Sequence, residues 1–132
     1  NGERLRYTGR GNLMTACYPG GGTAHGVHID NSDGDGRHHD FGRVMTLIYY
    51  LNAPPWSDED GGALRLHTPL VDAQQEGRSP AVDVAPVADT MVVFRADRIM
   101  HEVRPCSRHR LAASVWILAG PAGDEPDSDD SV

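Results

Sequence analysis

The sequence has only two cysteines, Cys17 and Cys106, among its 132 residues. Two cysteines are too few for the disulfide framework of a small secreted domain, so we expect both to be reduced thiols in an intracellular protein. No apolar run approaches the roughly 18 residues that a membrane-spanning helix requires. No secretory signal peptide is visible either. These absences argue against a disulfide-stapled scaffold and against a helical membrane protein.

The sequence also lacks an excess of basic residues, because 12 Lys and Arg face 19 Asp and Glu and the formal net charge is −7. Much of that charge comes from the segment 121–132, whose carboxylates are Asp124, Glu125, Asp127, Asp129 and Asp130. We expect this segment to be an acidic, disordered tail. The remaining residues are nearly neutral and show no basic stripe, which argues against nucleic-acid binding.

Helical periodicity is missing as well, whereas short apolar and alternating runs recur between Gly-, Pro- and Asp-rich spacers. The runs predict about eight strands, at 13–18, 26–30, 44–51, 63–67, 81–84, 90–94, 101–103 and 111–118. Residues 20–22 are expected to form a turn, and 53–62 and 68–80 surface loops. This pattern predicts an all-β core, with a double-stranded β-helix (a jelly roll, cupin-like) as the favoured architecture.

Two histidines and one aspartate stand at a spacing that indicates a metal site. His28 and Asp30 lie two residues apart on a predicted strand, so we expect both side chains on one face. His101 begins a later predicted strand and is the candidate third ligand. A structural zinc site usually has four protein ligands, commonly including cysteine. Two imidazoles and one carboxylate instead match the facial triad of a non-haem Fe(II) oxygenase, which leaves coordination positions open.

Arg110 follows the second histidine by nine residues and opens an apolar strand. Its planar guanidinium could hold the carboxylate of an anionic co-substrate by two parallel hydrogen bonds. Ser114, four residues further along the strand, could add a hydroxyl, and Tyr18 and Tyr50 are candidate phenol donors. The alternatives are a surface arginine at a strand start and two core tyrosines with a solvated hydroxyl.

A resemblance to a known family is carried by the stretches MTACYPGGGTAHGVHIDNSDGDGR, TLIYYLN, GGALRL and HEVRPCSRHRLAASVWI. Between residues 13 and 118 the sequence resembles the 2-oxoglutarate- and Fe(II)-dependent prolyl 4-hydroxylases. The likeness is greatest to the intracellular, oxygen-sensing branch, which hydroxylates hypoxia-inducible factor. It implies a dioxygenase domain over residues 1–120. It also implies helices before the start of this chain, so we expect a truncated catalytic core.

The resemblance implies a role for most of the candidate site residues. It implies Fe(II) on His28, Asp30 and His101, and 2-oxoglutarate on that metal with its distal carboxylate held by Arg110 and Tyr50. O2 is the implied co-substrate, and ascorbate is an expected reductant. The remaining residues are expected in the cofactor pocket, namely Tyr18, Ser114 and Leu64, or in the surroundings of the metal, namely His25 and Trp116.

The function that the resemblance implies is 4-hydroxylation of prolyl residues in a protein substrate, in the cytoplasm or nucleus, in oxygen sensing. Two alternatives stay open: the same chemistry on a free amino acid or small molecule, and a catalytically silent binding domain. Two departures from the family pattern concern the site. His25 stands where the oxygen-sensing enzymes usually carry tyrosine, and residues 38–43 form an apparent insertion.

Overall fold

The structure is a computed structural model that describes residues 4–32, 42–67 and 80–121. Over these residues the chain forms two antiparallel β-sheets and one 3-10 helix at Asp58–Asp60. The strands are β1 Leu5–Arg10, β2 Met14–Tyr18, β3 Thr23–His28, β4 Arg43–Tyr50, β5 Leu64–His67, β6 Ala81–Val84, β7 Met91–Arg95, β8 Met100–Cys106 and β9 Arg110–Pro121.

The first sheet has the order β1-β9-β4-β7, and β2 also pairs with β9. The long β9 therefore carries two strands along one edge: β2 pairs with its first half and β1 with its second half. The second sheet has the order β3-β8-β5-β6. Alternate residues of β4 are buried, as expected for a strand with one face on a core. The core that these faces build contains Ile48, Tyr50, Leu64, Val92, Phe94, Val103 and Ala112.

The predicted all-β core is confirmed, and each of the eight predicted strands overlaps an observed one. The strand at the amino-terminal end, β1, was not predicted. Its sequence, LRYTGR, is mostly exposed, including its two apolar residues Leu5 and Tyr7. It pairs with β9, and its register shifts between Tyr7 and Gly9.

The predicted strand over residues 26–30 is wrong at its end, because β3 finishes at His28. Asp30 lies beyond the strand, and the backbone N–H of Asn31 donates to the carbonyl of Ala96 at 2.9 Å. Register shifts interrupt the pairing of β3 with β8 on both sides of His25. The expectation that His28 and Asp30 share one strand face is therefore incorrect, although the chain brings the two side chains together by this turn.

The loop predicted over residues 53–62 is exposed over most of its length but turns inward at its end, where Gly62 is buried. The turn at residues 20–22 is confirmed: all three glycines have positive φ, and the N–H of Gly22 donates to the carbonyl of Cys106. Both cysteines are free thiols. No helix in the described ranges is long and apolar enough to cross a membrane.

Three features predicted from the sequence fall outside the described residues. They are the acidic tail beyond Pro121, the loop over 68–80 apart from Pro80, and the apparent insertion at 38–43 apart from Gly42 and Arg43, of which Arg43 begins β4.

Candidate metal and co-substrate site

A cavity of about 150 Å³ opens between the inner faces of the two sheets. Every predicted site residue except Tyr50 lines this cavity. Its walls come from β2, β3, β4, β5, β8 and β9 and from Asp30, and are formed by Met14, Ala16, Tyr18, His25, His28, Asp30, Thr46, Ile48, Leu64, His101, Val103, Arg110, Ala112, Ser114 and Trp116.

The two histidines and the aspartate predicted to bind a metal converge in this cavity. His28 and His101 are direct cross-strand partners on β3 and β8, with ring centroids 4.2 Å apart. Oδ1 of Asp30 lies 3.3 Å from Nε2 of His28 and 3.5 Å from Nε2 of His101. One ligand atom from each residue falls within 4.8 Å of the other two. This spacing fits three ligands around a single ion.

The backbone fixes which imidazole nitrogen of each histidine faces the cavity. Nδ1 of His28 lies 2.9 Å from the carbonyl of Gly26, and Nδ1 of His101 lies 3.1 Å from the carbonyl of Ile99. A carbonyl can only accept, so Nδ1 carries the proton and Nε2 presents its lone pair. Burial lowers the pKa of His101, although the Ile99 carbonyl and Asp30 oppose the shift. A lowered pKa favours the neutral imidazole, which is the form that binds metals.

Asp30 is held so that only one of its oxygens faces the two histidines. Its Oδ2 accepts hydrogen bonds from the hydroxyl of Thr46 at 2.6 Å and from Nε1–H of Trp116 at 3.1 Å. The residue is 9% exposed, so these bonds form away from bulk water. Oδ1 is thereby left to serve as a single-oxygen ligand.

Thr46 was not among the predicted site residues, whereas Trp116 was. A signal for Thr46 did exist in the sequence, because the alternation of β4 places this polar residue on the same face as Ile48 and Tyr50. Phe94 was also missed, and its ring meets His101 edge-on at 4.7 Å. No sequence pattern marked Phe94 as different from other core residues.

The donor set fits Fe(II). Two imidazole nitrogens and one carboxylate oxygen, without a thiolate, are the ligands of the facial-triad class, in which three positions stay open. The structure therefore brings the predicted ligands His28, Asp30 and His101 together in a suitable arrangement. Their role as ligands stays a prediction.

Arg110 places a buried positive charge in the wall of the same cavity. The residue is 2% exposed, its Nε donates to the carbonyl of Gly62 at 2.7 Å, and one terminal nitrogen lies 3.4 Å from the hydroxyl of Tyr50. Its guanidinium lies 5.1 Å from the ring centroids of both Tyr18 and Tyr50. No carboxylate of the described residues pairs with it. A buried cation without an anion is costly, so this wall of the cavity suits an anionic ligand.

The two tyrosines beside Arg110 keep their protons at neutral pH. Burial raises the pKa of Tyr50 to about 12, even though the neighbouring Arg110 acts in the opposite direction. Burial likewise raises the pKa of Tyr18, again against Arg110. Each phenol therefore remains an O–H group that can donate to a carboxylate.

The other predicted residues differ in their surroundings. Ser114 and Leu64 are buried and line the cavity. His25 is exposed, and its ring centroid lies 4.3 Å from that of His28. The structure thus places Ser114 and Leu64 on the cavity wall and His25 beside the metal-ligand set, while their roles stay predictions.

A jelly-roll sandwich with a His/Asp/His set beside a buried arginine defines the class of non-haem, metal-dependent oxygenases. The sequence profile of the 2OG-Fe(II) oxygenase superfamily matches residues 13–118. The chain therefore belongs to this superfamily, and membership implies Fe(II), 2-oxoglutarate and O2.

Relatives and solved structures agree with this assignment. The chain is 39% identical to Egl nine homolog 1 of Rattus norvegicus over 114 residues, covering 86% of this chain and 30% of that protein. It is 41% identical to prolyl hydroxylase EGLN3 of Mus musculus over 110 residues, covering 83% and 41%. A Trichoplax adhaerens prolyl hydroxylase, solved with a peptide fragment of the hypoxia inducible factor oxygen degradation domain, superposes with a TM-score of 0.69 at 35% identity, covering 85% of this chain and 45% of that one. The chain thus spans less than half the length of each, and the resemblance to the prolyl hydroxylases is confirmed.

Proposed function

We propose that residues 1–120 form an Fe(II)- and 2-oxoglutarate-dependent dioxygenase domain that hydroxylates prolyl residues of a protein at the 4-position. Its core is residues 13–118. One observation carries the proposal: the His/Asp/His set and Arg110, which is buried without a carboxylate partner among the described residues, line a single cavity. The prolyl hydroxylases among the relatives support the choice of substrate.

The proposed metal ligands are Nε2 of His28, Nε2 of His101 and Oδ1 of Asp30. When bound, Fe(II) supplies O2 activation coupled to the oxidation of 2-oxoglutarate. The backbone carbonyls behind the two imidazoles orient the rings toward the ion. Thr46 and Trp116 hold the aspartate in place from the other sheet. These contacts would hold the three ligand atoms in position around the ion.

Arg110 and Tyr50 are the proposed partners of the distal carboxylate of 2-oxoglutarate. Arg110 uses Nε on the Gly62 carbonyl, which orients the guanidinium while other N–H groups stay available to the cavity. Tyr50 can donate its hydroxyl hydrogen because its pKa is raised to about 12. Tyr18 and Ser114 add polar groups, and Leu64 adds an apolar wall that excludes water from this end of the ligand.

A second cavity of about 590 Å³ shares Met14 and Trp116 with the first and extends along Leu13, Arg43 and Leu118. Its size and partly apolar lining suit a segment of extended peptide, which supports a protein substrate over a free amino acid. The oxygen-sensing role, the cytoplasmic or nuclear location and the use of ascorbate are part of this proposal. Their support is the likeness to the Egl nine proteins and to the Caenorhabditis elegans hypoxia-inducible factor prolyl hydroxylase.

The testing experiment begins with anaerobic titration of Fe(II) and then 2-oxoglutarate into the protein. We expect a visible charge-transfer band from the chelated keto acid, absent in His28→Ala. Proline-containing peptides are then added with O2, and mass spectrometry should find a gain of one oxygen atom. A band without peptide hydroxylation would favour a small-molecule substrate. A folded wild-type protein that shows neither would favour a silent binding domain and would contradict the proposal.

A further inference from the structure

Arg43 does not line the cavity of the proposed metal site but contacts Trp116, which does. Its guanidinium sits 4.0 Å from the ring centroid of Trp116. The indole Nε1–H of Trp116 donates to Oδ2 of Asp30 at 3.1 Å. A positive charge, an aromatic ring and a proposed metal ligand therefore form a continuous chain of contacts.

A second set of contacts returns from Arg43 to the same aspartate. The side-chain amide of Asn31 donates to the backbone carbonyl of Arg43 at 2.8 Å. Asn31 is 1% exposed, is anchored by its own N–H to the carbonyl of Ala96, and follows Asp30 directly in the chain. The contacts thus close a ring through Asp30, Asn31, Arg43 and Trp116. This ring ties the end of the β3 turn to the start of β4 and to β9.

The stack should strengthen the hydrogen bond that holds Asp30. A cation over an indole face is attracted to the ring and draws electron density from it. Polarisation of this kind makes the N–H a stronger donor, because linked interactions in a partly buried site reinforce one another. The stack also fixes the plane of the ring, so the N–H stays directed at Oδ2 and Oδ1 stays directed at the two histidines.

We propose that Arg43 is a positioning residue that sets the metal affinity of the site by acting through Trp116 on Asp30. The inference rests on the proposed function, since it takes the His/Asp/His set to be the metal site. It adds a residue outside that set, on a different sheet from the two histidines. If Arg43 acted only through its charge, the change in metal affinity would have the opposite sign. Its positive charge would repel a divalent cation, so its removal would tighten metal binding.

The chain contains a matched control for this arrangement. Arg108 stacks on Trp56 at 4.6 Å, and Nε1–H of Trp56 donates to the carbonyl of Gly61 instead of to a carboxylate. Arg108→Gln therefore removes an Arg–Trp stack of the same chemistry that has no contact with Asp30. A general effect of losing such a stack on stability would appear in both variants.

The experiment measures Mn(II) and anaerobic Fe(II) dissociation constants by calorimetry for six forms of the 132-residue chain. These are the wild type, His28→Ala, Arg43→Gln, Trp116→Phe, the double variant Arg43→Gln/Trp116→Phe, and Arg108→Gln. Removing groups that orient metal ligands typically weakens binding about 10- to 100-fold, and we expect this for Trp116→Phe. Arg43 acts one contact further away, so Arg43→Gln should weaken binding about 3- to 10-fold. The double variant should match Trp116→Phe, and Arg108→Gln should match the wild type.

Two further measurements separate positioning from a general structural role. Arg43→Lys keeps a cation that can lie over the ring, so it should recover part of the affinity lost in Arg43→Gln. Arg43→Met keeps the apolar stem without the charge and should behave like Arg43→Gln. The visible spectrum of the Co(II)-loaded protein should shift in Arg43→Gln and Trp116→Phe but not in Arg108→Gln, because only the first two change how Asp30 meets the metal.

The outcomes separate this inference from the proposed function. If the wild type fails to bind metal, or His28→Ala binds metal equally well, both the proposed metal site and the positioning role of Arg43 are contradicted. If the wild type binds and His28→Ala does not, the site stands. Unchanged or tighter binding by Arg43→Gln, or a loss that adds to that of Trp116→Phe in the double variant, then overturns the inference alone.

Discussion

At the scale of single residues, Arg110 is the group whose chemistry is most constrained by its surroundings. It is a buried cation with two neutral acceptors and no carboxylate partner among the described residues. We expect Arg110→Ala to weaken 2-oxoglutarate binding to the Mn(II)-loaded protein about 100-fold, because truncating one partner of a buried charge pair costs about 2–5 kcal/mol. Calorimetry measures this, and the metal affinity should change little.

The control for this prediction is Arg104→Ala. The side chain of Arg104 is 43% exposed, pairs with Glu102 and does not line the cavity, so its loss should leave 2-oxoglutarate binding unchanged. Loss of metal binding in Arg110→Ala would show that Arg110 has a structural role instead.

The raised pKa of Tyr50 leads to a prediction about stability at alkaline pH. Its pKa is raised to about 12, whereas an unfolded tyrosine ionises near 10. The folded state therefore keeps this proton where the unfolded state releases it. The resulting stability is complete below pH 10 and is lost as the pH rises from about 10 toward 12, by up to about 3 kcal/mol. Urea unfolding across this range should show a steeper loss in the wild type than in Tyr50→Phe, and parallel curves would contradict the assignment.

At the scale of elements, the turn into β5 positions Arg110, the proposed partner of the co-substrate. Gly62 has φ +69°, and a Cβ there would meet Cδ of Arg110 at 2.9 Å and Cβ of Cys106 at 3.0 Å. Gly21 has a similar φ of +67° but has nothing within 4 Å of such a Cβ. The two glycines therefore share the backbone requirement and differ in the space around them.

Alanine at these two positions should separate the two effects. Gly21→Ala should cost about 1–2 kcal/mol in free energy of unfolding, for the left-handed backbone alone. Gly62→Ala should cost about 1–3 kcal/mol more, because the added methyl group overpacks against Arg110. It should also weaken 2-oxoglutarate binding, which Gly21→Ala should not. Equal stability losses with unchanged co-substrate binding would refute the proposed link between Gly62 and Arg110.

The strands were predictable where the sequence alone determines which face is buried. Residues 44–51 and 111–118 are long, β-branched, apolar runs, and β4 and β9 fall within a few residues of those limits. β1 was missed because it is short and its two apolar residues, Leu5 and Tyr7, are exposed, so no buried face marks it as a strand. Its pairing partners on β9 lie more than 100 residues further along the chain. The end of β3 was misplaced because a bulged register is a tertiary feature with no local signal.

The site was predictable where residue types and their spacing alone indicate its chemistry. The metal-ligand set and Arg110 stand out for that reason, and the structure brings them into one cavity. Thr46 and Gly62 contribute a hydroxyl and a carbonyl that become relevant only when the two sheets meet. The Arg43–Trp116 stack joins two distant parts of the chain, so no local pattern could have predicted it.

At the scale of the whole molecule, the site joins the two sheets. His28 and His101 belong to the second sheet, whereas Asp30 is held by Thr46 of β4 and Trp116 of β9 in the first. Because an ion held by all three residues must couple the sheets, metal binding should stabilise the folded state as a unit. At a free metal concentration 100 times the dissociation constant, the gain is about 2.7 kcal/mol.

Thermal unfolding with and without Mn(II) measures this gain. The melting temperature of the wild type should rise with metal concentration, and that of His28→Ala should not. A rise of equal size in both would indicate binding elsewhere in the chain and would contradict a site between the sheets.

The division of β9 between two partner strands has a mechanical consequence. β1 pairs with Ile117–Pro121 and β2 with Arg110–Ser114, so the half of β9 that bears Arg110 and Ser114 is separate from the half that binds the first strand. A pulling force applied at Leu5 would open the β1 pairs one after another, starting at Pro121. The cavity would stay intact until the whole of β1 had detached. Under such a force, the first strand would therefore unfold before the site does.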